Sequence, residues 1–224
     1  MKKIIKWGII GLGKASSQFI DSFESTGDHQ IEILSSISNY KNFHDKKILN
    51  NISNSYLDVI KSKNVDIVYI GLTNNLHYEY SKLALQNGKH VLIEKPACTD
   101  VNQLNDLYEI SKKNNLKIFE GIYFRSHPNI REIIEILNKN NFKNLKNINS
   151  EFGNDALGGS KIFGIRFKKP KENNRLFSQK LFGGAVWDTG CYPITFANIF
   201  FKKFNNEYLN HRNIIDKKSL IGST

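Results

Sequence analysis

An α/β fold is what this sequence predicts: a doubly wound parallel sheet followed by a smaller α/β domain with an open mixed sheet. Three features predict it. Short apolar runs alternate with helix-period segments from the start of the chain. Two of those runs, VDIVYIG at 65–71 and HVLIE at 90–94, are apolar on both faces, as central parallel strands are. A glycine-rich turn, GIIGLGKAS at 8–16, closes the first strand and opens the first helix.

The elements follow in order. The opening MKKIIKWGIIGLG reads as a strand over 4–10 and not as a signal peptide, because glycines break its apolar run and no small-residue cleavage site follows. A helix over 13–24, ended by Gly27, leads to a strand over 31–38, a short helix over 56–62 and the strand at 65–71. Leu76, Tyr80, Leu83 and Ala84 at helical spacing predict a helix over 76–87, with Gly88 as its C-terminal cap. Val101, Leu104, Leu107 and Ile110 repeat that pattern over 100–114, and 117–121 is a further strand.

The rhythm changes after Gly121, which divides the chain into domains 1–121 and 122–224. In the second, Pro128 opens a helix with Ile130, Ile133, Ile134 and Leu137 on one face. The segments 146–152 and 161–167 are expected as strands of the mixed sheet, and KKPKENN at 168–174 as a solvated loop.

Composition narrows the function. With 224 residues, 40% of them hydrophobic, the chain can build one large or two modest cores. No apolar run approaches the ~18–20 residues that span a bilayer. Cys98 and Cys191 are far apart and form no ligand cluster, which suits a reducing cytoplasm and argues against a metal site. The net charge is +11, yet only five of the 32 cations are arginine (Arg125, Arg131, Arg166, Arg175 and Arg212), and the lysines are scattered. A nucleic-acid-binding face would cluster them, so that reading rests on charge alone.

The glycine turn carries the first chemical signal. Gly11 permits a tight turn, Gly13 lets backbone approach a pyrophosphate, and small Ser16 stands where helix packs on strand. The helix start offers free amides and a partial positive charge to a diphosphate. The second strand ends in SISNYK, with no carboxylate to hold a ribose 2′-hydroxyl. Ser38 and Asn39, with Lys41 nearby, suit a 2′-phosphate and hence NADP over NAD, although they equally read as an ordinary polar loop.

Two more stretches follow. In HVLIEKPACTD, Glu94 and Lys95 end a buried strand on the side where open parallel sheets bind ligands, and Pro96 restricts Lys95 to an extended backbone. In GGAVWDTGCYPI at 183–194, Asp188 and Tyr192 are four residues apart, so a helix opened by Asp188 brings both side chains to one cleft. The plainer alternatives are a helix cap for Asp188 and a packed aromatic for Tyr192.

Together with TNNLHYEYSKLALQNGKHVLIEKP at 73–96 and EGIYFRSHP at 120–128, these landmarks resemble, in order over roughly 4–200, the Gfo/Idh/MocA family of NAD(P)-dependent oxidoreductases. Tyr192 stands where many members carry His, which resembles most the dihydrodiol dehydrogenase and glucose–fructose oxidoreductase branch. The resemblance implies a Rossmann domain, then an α/β domain whose open sheet faces the nicotinamide. It implies that Lys95, Asp188 and Tyr192 are catalytic, and that Tyr123 and Arg125 lie with them on the substrate side. NAD(P) would be held by Gly11, Leu12, Gly13, Lys14, Ala15, Ser38, Asn39, Thr73, Asn74, Asn75, His77, Glu94, Lys95 and Pro96, with Asn74 where the family usually has Pro.

The implied reaction is hydride transfer between NAD(P) and a carbinol carbon of a sugar, sugar derivative or cyclic diol. Such a transfer needs a proton carrier at the oxygen. A free phenol titrates near ~10, and the Lys95 ammonium beside Tyr192 would favour the phenolate. A small-molecule substrate is the expected partner, and a homo-oligomer through the second sheet is expected if that sheet is complete. Family members continue past the equivalent of residue 200, so an incomplete second sheet is expected here, and a noncatalytic dinucleotide-binding or interaction protein is the competing expectation.

Overall fold

The first apolar run forms β1 (Ile5–Ile10), the strand on which the rest is built. The computed structural model describes residues 4–25, 27–37, 51–140, 147–153 and 174–204. Two units emerge, Met1–Gly121 and Ile122–Thr224.

In the first unit β1 is flanked by β2 (His29–Ser35) and β4 (Ile67–Ile70), and the sheet extends to β3 (Ile52–Ser53) on one side and to β5 (His90–Ile93) and β6 (Ile118–Glu120) on the other. The order is β3-β2-β1-β4-β5-β6 and every pairing is parallel. This is the doubly wound order whose switch point lies between β1 and β4. Among the described residues four α-helices join the strands: α1 (Lys14–Asp21), α2 (Tyr56–Lys61), α3 (His77–Gln86) and α4 (Val101–Lys113).

Strand alternation sorts the side chains into two cores. Trp7, Ile9, Leu34 and Tyr69 pack with Ile20 of α1. Ile10, Val68, Ile70, Val91 and Ile93 point the other way, onto Val59, Ile60, Leu85 and Leu107 of α2, α3 and α4. The sheet is therefore buried on both faces, as its near-continuous apolar strands require.

Three boundaries differ from expectation. Helix α1 stops at Asp21 and tightens into a 3₁₀ turn over Ser22–Ser25, short of the full 13–24 span. Strand β2 begins at His29, which pairs with Ile5, and ends at Ser35, so exposed Ile37 lies beyond it. The two-residue β3 was not expected at all, being too short to show a period.

The second unit opens with a 3₁₀ turn over Tyr123–Ser126 and α5 (Pro128–Lys139). Pro128 does open that helix, and the His127 side chain accepts from the Asn129 amide to cap it. Of the four residues expected on its apolar face only Ile130 is buried, and Ile133 is 38% exposed. Where a strand was expected over 146–152, the described residues 147–153 carry no regular structure, and no strand among the described residues pairs with them. The expected strand at 161–167 and the loop at 168–174 lie outside the described residues. The unit closes with a 3₁₀ turn over Gln179–Leu181, a π-helical turn over Val186–Gly190 and α6 (Cys191–Phe204).

The glycine turn is fixed by contact. Gly11 has φ +82°, and a Cβ there would sit 2.6 Å from the Gly71 carbonyl oxygen. A Cβ on Gly13 meets nothing within 4 Å. Gly11→Ala is thus expected to lower stability by about 2 kcal/mol or more. Gly13→Ala should stay within about 0.5 kcal/mol of wild type. Urea unfolding followed by circular dichroism checks both, and equal midpoints for the two variants would contradict the assignment.

Candidate functional site

The site in the first unit is built at the carboxyl ends of β1, β4 and β5. Gly11 donates its amide to the Ser35 carbonyl at 2.9 Å, and Gly71 donates to the Ile10 carbonyl at 2.9 Å, which draws the ends of β2, β1 and β4 together. Buried Ser16 donates its hydroxyl to the Gly11 carbonyl and holds the first turn of α1 against the glycine turn. Ser16 therefore fills the third small position for two reasons, size and a hydrogen bond.

Gly13 is the N-cap of α1 and provides no side-chain cap, while Lys14 and Ala15 are exposed and Leu12 half-buried. The amides at this helix start belong to the set that a helix leaves unpaired, and the dipole adds partial positive charge. Among the described residues no other segment comes within 4 Å of a Cβ placed on Gly13, so the turn has room for a diphosphate against its backbone. A second feature fits a ligand here: the Ser35 hydroxyl, at the carboxyl end of β2, is buried with no hydrogen-bond partner among the described residues. Ser38 and Asn39 lie outside the described residues.

After β4, Thr73 donates its hydroxyl to Asn75 Oδ1 at 2.8 Å, and the 3₁₀ turn Asn74–Leu76 closes through the Leu76 amide on the Thr73 carbonyl. These residues make up the loop, and the His77 side chain turns inward from it. Its ring is buried, with Nδ1 2.7 Å from the Pro96 carbonyl and Nε2 3.1 Å from the Leu72 carbonyl. Carbonyl oxygens only accept, so a neutral ring donates through one nitrogen to one of the two at a time. His77 ties the loop after β4 to the loop after β5.

Glu94, Lys95 and Pro96 follow β5, with a cis peptide between Lys95 and Pro96. Glu94 and Lys95 are half-buried and Pro96 buried. The Ala97 amide donates to Glu120 Oε1 at 2.9 Å, which fixes the far side of this loop. Burial first, then the nearby Glu120 and Asp100 carboxylates, push the Cys98 thiol up to about 11, away from the thiolate form. A residue missed from sequence is Tyr69, whose hydroxyl donates to Glu94 Oε1 at 2.7 Å from within the core.

In the second unit the structure brings Tyr192 among three aromatic rings, with centroids 5.9 Å from Tyr123, 6.1 Å from Phe124 and 4.6 Å from Phe152. Arg125, beside them in sequence, is exposed. Asp188 does not open a helix. It is the third residue of the π-helical turn, its amide donates to the Gly184 carbonyl, and the N-cap is Ala185. The helix-cap reading of Asp188 therefore fails. Instead Asp188 Oδ1 lies 3.7 Å from Arg175 Nη1, the carboxylate being 19% exposed and the guanidinium 59%.

The Gly-Gly pair explains that contact. A Cβ on Gly183 would come 2.4 Å from the Arg175 carbonyl oxygen, and Gly184 has φ +109°. Gly183 and Gly184 also donate to the Ser178 and Leu176 carbonyls, so the segment carrying Arg175 is laced to the turn carrying Asp188. Arg175 is a second residue the sequence reading missed, and Gly183 was the available signal.

Against this geometry the comparisons are specific. The family described as an oxidoreductase family with an NAD-binding Rossmann fold, Gfo/Idh/MocA, matches residues 5–122, more than half of the chain. The chain belongs to this family. Among its relatives, the trans-1,2-dihydrobenzene-1,2-diol dehydrogenase of Xenopus tropicalis is 29% identical over 200 residues, covering 88% of this chain and 56% of that protein. The D-xylose 1-dehydrogenase (NADP(+)) of Hypocrea jecorina is 28% identical, covering 86% of this chain and 52% of its own length. A solved 3-ketoreductase from Actinomadura kijaniata, in complex with NADP and TDP-benzene, is 26% identical with a TM-score of 0.57, over 61% of this chain and 43% of the ketoreductase. The chain spans about half the length of the curated relatives it matches. Among the described residues no helix is long and apolar enough to cross a membrane.

Gly13→Val tests the turn without disturbing it, because the branched side chain enters space where the fold has no atom. The variant should unfold at the wild-type urea concentration and lose at least about tenfold in NADPH affinity by fluorescence titration, a loss of ~1.4 kcal/mol. A folded variant with wild-type affinity would remove the diphosphate from this turn.

Proposed function

We propose that the protein is an NAD(P)-dependent oxidoreductase that moves a hydride between the dinucleotide and a carbinol carbon of a sugar, sugar derivative or cyclic diol. Tyr192 carries the catalytic part of the reading: a phenol held by three aromatic rings, four residues from a carboxylate paired with Arg175. The names of the relatives favour this substrate range, since they include a cyclic diol dehydrogenase and a sugar dehydrogenase.

The glycine turn and the start of α1 hold the diphosphate, and the Glu94-Lys95-Pro96 loop borders the nicotinamide half. A bound nicotinamide supplies the hydride acceptor in oxidation and the donor in reduction. This chain supplies the proton chemistry. In oxidation the substrate hydroxyl gives its proton to the Tyr192 oxygen as the carbinol C–H hydride departs and the C–O single bond becomes a carbonyl. In reduction the Tyr192 hydroxyl returns that proton to the oxygen. Lys95, on the loop that borders the nicotinamide half, is the second catalytic residue of this reading, and Asp188 accepts from a second hydroxyl of the substrate. Tyr123, its ring already against Tyr192, forms a wall suited to the apolar face of a sugar or diol ring.

The test is a panel of aldoses, inositols and cyclic diols scored for NADPH and NADH formation by the full chain. Tyr192→Phe keeps the ring contacts and removes the oxygen, so turnover should fall by about 10²–10⁴-fold while NADPH binding survives. A Tyr192→Phe variant as active as wild type would sink the proton role. Dinucleotide binding with no turnover on any panel member would favour the noncatalytic reading.

The proposed cofactor is NADP in preference to NAD, on the polar Ser38 and Asn39 in place of an acid and on the NADP(+) in the name of the xylose dehydrogenase. Ser38→Asp should raise the Kd for NADPH relative to NADH by repelling the 2′-phosphate. A wild-type chain that binds NADH the more tightly contradicts this choice.

A further inference from the structure

Between the glycine turn and the Glu94-Lys95-Pro96 loop lies a buried polar contact that neither end explains. Tyr69 lies within the apolar strand β4, fully buried, its ring stacked on Phe19 of α1 at 4.2 Å and 7°. A phenylalanine would fill that stack equally well. The hydroxyl instead donates to Glu94 Oε1 at 2.7 Å. Burial, followed by the Glu94 charge and the hydrogen bond to it, raises the Tyr69 pKa, so the phenol stays protonated and donates.

The consequence falls on Glu94. Its backbone is pinned, the amide donating to the Ile70 carbonyl at 3.0 Å, and its Oε1 lies 3.4 Å from where a Cβ on Gly121 would be. One carboxylate oxygen is thus held from inside the protein. A carboxylate offers about four lone-pair positions, and a single inner donor leaves others for an outer one.

We propose that Tyr69 is a positioning residue: its hydroxyl sets the Glu94 carboxylate so that the other oxygen accepts from a ribose hydroxyl on the nicotinamide side of the dinucleotide. This rests on the dinucleotide reading given above and adds to it a residue that never touches the ligand.

The experiment compares two probes on the full chain, NADPH by fluorescence titration and ADP by calorimetry. NADPH spans both ends, whereas ADP carries the diphosphate and no nicotinamide ribose. Tyr69→Phe keeps the Phe19 stack, and it should weaken NADPH by about tenfold while ADP affinity stays within twofold of wild type. Glu94→Ala reports the same contact from the other partner and should show the same split, and combining the two changes should add little to either alone. Glu94→Gln, which keeps an oxygen for the Tyr69 hydroxyl, should recover part of the loss. Equal weakening of both probes, or none, in Tyr69→Phe overturns the positioning role; if that variant does not fold, an unsplit response in Glu94→Ala does so. A wild-type chain that binds neither NADPH nor ADP overturns the dinucleotide reading and this inference with it.

Discussion

The structure turns on the absence of side chains where β1 and β4 end. A Cβ on Gly71 would lie within contact distance of the Tyr69 ring and on top of the Ser16 oxygen, and one on Gly11 would strike Gly71. Only with both positions bare can the Ser16 hydroxyl reach the Gly11 carbonyl and draw α1 down onto the sheet. That interlock aims the start of α1 at the crevice beside the switch point, and everything assigned to the dinucleotide depends on the aim. Close packing of this kind tolerates little compromise, since protein interiors pack like crystals.

The second unit repeats the device on a smaller scale. Gly183 lets one stretch of backbone press against another, and the product is an ion pair between Arg175 and Asp188. A pair this exposed on its cationic side contributes little to stability. Its value lies in orientation: the carboxylate is steered by a planar donor and not left to swing on an open helix face.

Much of the sheet was legible because its strands are apolar on both faces and its helices keep a 3.6-residue period, so pattern and fold agree for β1, β4, β5, α3 and α4. Strand β3 was illegible for the opposite reason, since two residues hold no period. Residues 146–152 alternate like a strand, but alternation describes one chain and a strand is a relation between two. Side-chain direction was the other blind spot. The spacing of His77 within the loop motif is readable, yet whether its ring faces outward or clamps two carbonyls depends on the loop after β5. Tyr69 was hidden in plain view inside a hydrophobic run, where nothing marks a hydroxyl that finds a carboxylate from one that points at nothing.

The π-helical turn over Val186–Gly190 has a bearing on how this site could diverge. Such a turn holds a residue more than an α-helical one, and it commonly marks functional places in helices. The phase between Asp188 and Tyr192 is therefore a matter of residue count and not of residue type. Point substitutions leave that phase alone, whereas loss or gain of one residue swings it by ~100°. Among descendants of such a sequence, the relation between carboxylate and phenol would change in discrete jumps, through insertions and deletions, with no gradual path between the states.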